Sequence, residues 1–178
     1  MKRVVMIGPP GSGKSTLSRR LGRALGIPVF HLDSLFWNPG WKSTPRDEFT
    51  QLQIQIMTEN DSWIIDGDYA STLHVRLERC DSVVALDLAR RIYLPRVLLR
   101  SVSSMLFKKE RVDMAPGCPE RPDAEFLAFV RYVWSYGTDR RPGVWALIDH
   151  VCDGKEVHRL TTPGQVEQFI RGIKRSPC

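Results

Sequence analysis

Eight residues near the start of the chain, Gly8-Pro9-Pro10-Gly11-Ser12-Gly13-Lys14-Ser15, match the pattern G-x-x-x-x-G-K-S position for position. No other stretch constrains the fold as much. Glycines let the backbone adopt positive φ and approach a ligand closely, so successive N–H groups can point inward at phosphate oxygens. The pattern works only between a strand and a helix, and the flanking residues supply both. Val4-Val5-Met6-Ile7 is a short apolar run rich in β-branched residues, suited to a buried parallel strand, and Leu17, Leu21 and Leu25 recur at helical spacing behind the loop. The N-terminus of that helix adds partial positive charge. Gly8, Gly11, Ser12, Gly13, Lys14, Ser15 and Thr16 are therefore the expected nucleotide-binding residues, with Lys14 at the β- and γ-phosphates and the Ser15 hydroxyl in a magnesium shell. The plain alternative is a glycine turn with an exposed lysine.

At 178 residues the chain is expected to form a single domain over residues 1–178, a length that buries about 70% of the unfolded surface. No apolar run approaches the roughly eighteen residues of a membrane span. Met1-Lys2-Arg3 leads directly into the first strand, with no extended apolar signal segment. Cys80, Cys118, Cys152 and Cys178 show no CxxC spacing, which favours free thiols in a reducing cytoplasm over a disulfide frame or a zinc site. The net charge of +6 is unevenly spread: residues 1–89 carry ten Lys/Arg and ten Asp/Glu, whereas residues 90–141 carry eleven and six. Such a segment can face nucleic acid or clamp a nucleotide's phosphates. With the glycine loop in the same chain, the clamp is the preferred reading.

Along the chain, Pro28-Val29-Phe30-His31-Leu32 reads as a second strand ending at Asp33, and Leu35 to Trp41 as an aromatic loop broken by Pro39-Gly40. That loop is either a flap packing on the body or a wall of an acceptor pocket, with Trp37 and Trp41 stacking on a flat substrate or excluding water. Pro45 opens a helix through Phe49, Leu52, Ile56 and Met57. Ser62 to Gly67 is a third strand ending in Asp66-Gly67, an arrangement that orients magnesium's water shell or an attacking hydroxyl. Asp68 and Tyr69 add two polar groups at the same rim. Ser82 to Asp87 makes a fourth strand, whose Asp87 is a rival for the magnesium role or a helix cap. The helix from Arg90 to about Phe107 carries Arg96 and Arg100 on one side. The turn-rich stretch from Lys108 to Arg121, a returning helix through Phe126 to Trp134, and Tyr136 to Pro142 complete a lid-like basic insertion at about 100–141, able to close on phosphates. Val157 to Leu160 and a helix through Val166 and Ile173 end the chain. Strands alternating with helices imply a parallel sheet covered on both faces.

These motifs also resemble known families. Gly8 to Thr16 has the loop style of the adenylate kinase and shikimate kinase group. His31-Leu32-Asp33 with Phe36 to Trp41, Trp63 to Tyr69, and Arg111 to Arg121 resemble the bacterial "DNA topology modulation" proteins, and this match runs almost from end to end. The resemblance implies a three-layer α/β P-loop fold of the nucleoside-monophosphate-kinase type, a five-stranded parallel sheet in the order 2-3-1-4-5 with a helical lid. It implies an ATP- and magnesium-dependent phosphotransferase. By the same analogy Asp66-Gly67 corresponds to the strand-end Asp-Gly of adenylate kinases. There Phe-Pro-Arg follows, whereas Asp68-Tyr69-Ala70 follows here, so the arginine for an acceptor monophosphate is missing from its place. Shikimate kinases place a substrate-binding aspartate near Asp33, but their glycine run is not found at Asp66-Gly67-Asp68.

The expected roles are then as follows. Lys14 and the loop amides hold the phosphates, and Ser15 and Asp66, the latter through water, hold magnesium. Asp33 orients or deprotonates a small-molecule acceptor. Arg100, Arg111, Arg121, Arg140 and Arg141 form the pool for the phosphate clamp. The alternatives are a nucleotide-dependent DNA-binding regulator, for which the chain carries no recognised DNA-reading motif, and an NTPase with water as acceptor.

Overall fold

Val4, Val5, Met6 and Ile7 are all buried, and alternate residues of a strand face opposite ways, so the first strand demands apolar cover on both sides. The computed structural model describes residues 1–107, 114–119 and 121–173. The chain runs β1 (Arg3–Ile7), α1 (Lys14–Leu25), β2 (Val29–His31), α2 (Leu32–Phe36), β3 (Trp37–Asn38), β4 (Lys42–Ser43), α3 (Arg46–Glu59), β5 (Trp63–Asp66), α4 (Leu73–Arg79), β6 (Ser82–Leu86), α5 (Arg90–Phe107), α6 (Ala124–Ser135), α7 (Arg141–Val151), β7 (Glu156–Leu160) and α8 (Pro163–Ile173). Five strands pair side by side in the order β2-β5-β1-β6-β7, all parallel. Numbered among themselves these strands follow 2-3-1-4-5, as expected.

The two-residue alternation of β1 divides the core. Val4 and Met6 join Leu17, Leu21, Ile64, Val84 and Ile170 on the side of α1 and α8. Val5 and Ile7 join Phe49, Trp63, Ile65, Leu77, Val83, Val144 and Ile148 on the side of α3, α4 and α7.

Three local expectations are corrected. β2 stops at His31, and Asp33 stands in the first turn of α2 rather than at a strand end. The reason is Leu32, fully buried against Gly67, where a Cβ would lie 2.7 Å from its own. The stretch after Phe36 is a hairpin, β3 pairing antiparallel with β4, and it turns through Gly40 and Trp41, both at positive φ. Pro142, read as closing the lid, lies instead in the first turn of α7, where its missing N–H costs nothing. Val144 and Ile148 of that helix complete the core. Cys80 and Cys152, distant in sequence, meet at the C-terminal ends of α4 and α7, with their thiols in hydrogen-bond contact.

One charged side chain lies wholly inside. Arg76 on α4 is 0% exposed. Its guanidinium donates to the Gly67 carbonyl at 2.6 Å, to that of Asp68 at 2.9 Å and to that of Tyr69 at 3.3 Å. These carbonyls belong to the turn where the chain leaves β5, and a buried carbonyl needs a donor. Burial lowers the Arg76 pKa to about 10, against the opposing pull of Asp68 and Asp66, so the group stays charged at neutral pH.

Two stability predictions follow from this packing. Arg76→Lys keeps the charge but loses the fork that spans three carbonyls. Hydrogen bonds to charged groups contribute ~1.5–3 kcal/mol each, so the urea unfolding free energy should fall by about 3 kcal/mol. An unchanged midpoint would show that the turn is held by other means. Gly22, within α1, admits no side chain: a Cβ would sit 2.5 Å from Val29 Cγ2 and 2.8 Å from the Ile27 carbonyl oxygen. Alanine gains ~1 kcal/mol of helix propensity, but overpacking against backbone costs about 1–3 kcal/mol. Gly22→Ala should therefore lower the melting temperature, and a rise would disprove the close approach.

Candidate active site

The loop between β1 and α1 is built by close approach. A Cβ on Gly8 would lie 2.5 Å from the Leu86 carbonyl oxygen, and one on Gly11 2.5 Å from that of Tyr93 and 2.6 Å from Val97 Cγ2. The loop is thus pressed against the end of β6 and the flank of α5, and both glycines have positive φ. Gly13, also at positive φ, caps α1. Ser15 and Thr16 are the second and third residues of that helix, so their amides belong to the unpaired N-terminal set that suits an anion. The Lys14 ammonium folds back and donates to the Pro9 carbonyl at 3.1 Å, closing over the loop where phosphates would lie. Ser12 is buried, and its hydroxyl has no hydrogen-bond partner among the described residues.

Carboxylates line the sheet rim beside this loop. Asp66 ends β5 and is 4% exposed. His31 ends β2 directly opposite it in register, and its Nδ1 lies 2.8 Å from Asp66 Oδ2. Asp66 Oδ1 is shut from solvent with no partner among the described residues. Reading the sequence alone assigned His31 no role. The signal that could have found it is its place at the end of a strand neighbouring the one that ends in Asp66. Asp33 Oδ1 accepts from the Tyr69 hydroxyl at 2.8 Å, a contact made possible by Tyr69 at φ 27.

Asp68 was expected only as a rim polar group. Burial raises its pKa, while the charges of Lys14, Arg76 and Arg140 and a hydrogen bond from Tyr136 pull it back. The Tyr136 phenol is itself pushed far up by burial and by Asp68, so it remains a donor. Tyr136 opens a π-helical turn, Tyr136–Arg140, between α6 and α7. Such turns are frequent at functional sites.

The expected arginines separate into distinct places. Arg140 ends the π turn, with its guanidinium over the Tyr132 ring at 5.8 Å and its charge acting on Asp68. Arg141 pairs with Asp87 at 3.6 Å. Asp87 also accepts from Arg159 Nε at 2.8 Å and Nη2 at 2.6 Å. Asp87 is therefore an ion-pair centre between α7 and β7. The register explains it: β7 lies beside β6 with Arg159 opposite Ala85, within reach of Asp87. A cavity of about 220 Å³ opens there beside Pro9, lined by Asp87, Arg90, Tyr93, Trp134, Tyr136 and Arg141. Arg90 lies 3.9 Å over the Trp134 ring. Arg100 is half-buried on α5 and Arg121 is exposed before α6, whereas Arg111 lies outside the described residues.

The aromatic hairpin reaches the segment that follows α5. The Gly40 amide donates to the Gly117 carbonyl and Trp41 Nε1 to that of Pro119, both at 2.9 Å. Trp37 and Trp41 pack edge to face at 5.3 Å, and Phe36 packs on Tyr69 at 4.8 Å. The hairpin therefore bridges the Asp33–Tyr69 side of the rim and the excursion between α5 and α6.

Magnesium takes oxygen ligands, keeps several waters and binds through one or two carboxylates plus phosphates. The orphaned Asp66 Oδ1 and the Ser15 hydroxyl beside the phosphate loop fit that demand.

A scan of the sequence against models of known protein families matched none. Adenylate kinase from Mycobacterium leprae is 31% identical, over 53% of this chain and 68% of that protein. Among solved structures, shikimate kinase from Acinetobacter baumannii in complex with shikimate superposes with a TM-score of 0.59 at 16% identity, over 97% of this chain and 90% of that one. A kinase from Chloroflexus aurantiacus, described there as putative, gives 0.56 at 14% identity over 99% of both chains. The superpositions establish the P-loop kinase fold. The 31% identity over 68% of the Mycobacterium leprae protein shows that the chain belongs to the adenylate kinase family of P-loop kinases.

Proposed function

We propose that the protein is an ATP- and magnesium-dependent phosphotransferase with a small-molecule acceptor. The observation that carries this reading is the Lys14 ammonium closed over a glycine loop, with the charges of Lys14 and Arg140 both acting on Asp68. Phosphoryl transfer asks of a protein mainly positioning and charge neutralisation. In this reading the loop amides and Lys14 hold the phosphates, Ser15 and Asp66 hold magnesium, and Arg140 neutralises charge developing on the transferred group. Arg141 is at hand once it leaves Asp87, and Arg100 and Arg111 complete the clamp from α5 and the segment beyond it. Residues 100–141 act as the lid, and Asp33, oriented by Tyr69, contacts the acceptor.

Arg90, Arg140 and Arg141 pack on aromatic rings or pair with Asp87 beside the loop. That accounts for part of the basic excess without nucleic acid and favours the clamp over a DNA-binding regulator. The free thiols of Cys80, Cys118 and Cys152 suit a reducing cytoplasm.

A single charged hydrogen bond is worth about 1.5–3 kcal/mol, so Lys14→Ala should weaken ATP–Mg binding at least about tenfold by calorimetry. Binding equal to that of the parent would remove the phosphate-loop assignment.

A further inference from the structure

We infer that His31 is a positioning residue: by holding one oxygen of Asp66 it fixes the carboxylate so that the other is presented to magnesium's water shell. This rests on the phosphotransferase reading, in which Ser15 and Asp66 hold magnesium, and adds the residue that orients the second of them.

Backbone pairing brings the two side chains together. β2 and β5 are parallel neighbours with His31 opposite Asp66, and each is the last residue of its strand. β5 in turn lies beside β1 with Asp66 opposite Met6, and the Gly67 amide donates to the Met6 carbonyl at 3.1 Å. Two residues beyond Met6 the phosphate loop begins at Gly8. A carboxylate at this place flanks the loop, and its neighbours decide which way its oxygens turn.

His31 is the neighbour that decides. Its Nδ1 lies 2.8 Å from Asp66 Oδ2, an ordinary hydrogen-bond length. A carboxylate oxygen only accepts, so Nδ1 carries the proton, in the neutral imidazole and in the imidazolium alike. The contact therefore does not depend on the titration of the ring. The two side chains are 14% and 4% exposed, which leaves little room for water to replace the bond. His31 is itself held in place. Its carbonyl accepts from the Ser34 hydroxyl at 2.7 Å, and the next residue, Leu32, is fully buried.

With Oδ2 engaged, Oδ1 is the oxygen left over. It is shut from solvent and has no hydrogen-bond partner among the described residues. A buried acceptor without a donor is costly, and the water shell of an ion supplies donors. A purely structural tie between β2 and β5 would leave that cost unexplained, since the backbone ladder and Leu32 already anchor the end of β2. Asp33 is differently placed: it stands in the first turn of α2 and accepts from Tyr69. Magnesium demands near-octahedral geometry and binds through few carboxylates, so a carboxylate free to rotate serves it poorly. Removing a group that orients a metal-binding side chain typically costs about 10–100-fold in metal affinity.

The test measures Mn2+, a paramagnetic ion with the same preference for oxygen ligands, binding to the complex of the protein with ADP by electron paramagnetic resonance. Calorimetry of ATP in EDTA runs beside it. His31→Leu removes the donor and should raise the Mn2+ dissociation constant about tenfold or more, while metal-free ATP binds within about twofold of the parent. His31→Asn keeps an N–H at the place of Nδ1 and should stay within about threefold of the parent for Mn2+. If the leucine variant fails to fold, His31→Gln carries the test, because its amide donates from the place of Nε2, and the same rise of about tenfold is expected. Mn2+ affinity within about threefold of the parent in the leucine variant, or in the glutamine variant standing in for it, overturns the inference. So does an asparagine variant no better than that comparison, or metal-free ATP weakened as much as Mn2+, the mark of a structural tie. A parent that binds ATP–Mg but holds Mn2+ no more tightly than free ADP does overturns it too, together with the metal role of Asp66. Failure of the parent to bind ATP–Mg would instead remove the phosphotransferase reading itself.

Discussion

The buried guanidinium of Arg76 is the contact on which the acceptor half of the site depends. Burying an arginine is expensive unless its donors find partners, and here the two terminal nitrogens meet three successive carbonyls at the exit of β5, while Nε has no partner among the described residues. Those residues cannot relax individually. Gly67 is pressed against Leu32, Asp68 lies in the field of Lys14, and Tyr69 is held at positive φ so that its hydroxyl reaches Asp33. A single helix residue thus fixes where two of the three acids at this rim point. Because α4 itself packs on β1 and α7 through Leu73, Leu77, Val144 and Ile148, core packing sets the geometry of the rim.

The donor half is fixed by a different device, the absence of side chains. Gly8 and Gly11 let the phosphate loop touch β6 and α5 at distances that a Cβ would forbid. The same contact ties the loop to the helix that begins the basic excursion, so a displacement of α5 would move the loop. The excursion returns through α6 to the π turn, where Tyr136 and Arg140 meet Asp68. Donor loop, excursion and acceptor rim therefore form a closed circuit of contacts, and the hairpin around Trp41 adds a second crossing through Gly117 and Pro119.

Much of the frame was legible in the sequence because it rests on local chemistry. The loop glycines, the apolar strand runs and the long amphipathic α5 each declare themselves within a few residues, and the strand order follows the family resemblance. What escaped has a common cause: its meaning lies in long-range pairing. His31 acquires a role only because parallel register sets it opposite Asp66, and Asp87 is neutralised by Arg159, 72 positions away. Arg76 looks like any helix arginine until α4 is seen to be covered. α7 was missed because Tyr136 to Pro142 reads as the close of the basic insertion, although a proline in a first helical turn is unobjectionable. Asp33 was displaced from its expected strand end by Leu32, whose burial depends on a glycine 35 positions away at 67.

The distribution of charge around the loop explains how one fold can serve different acceptors. In the proposed reaction Lys14 and Arg140 would face the transferred phosphate, and a positive field there suits phosphoryl transfer. An arginine after Asp66-Gly67 would meet an incoming anion, whereas Asp68 and Tyr69 present an acid and a hydroxyl network. The charge of Asp68 opposes that field, since Lys14 and Arg140 both act on its carboxylate. The carboxylate is moreover supported from two elements, Tyr136 on the π turn and Arg76 on α4. An acid placed by accident would need no such framework.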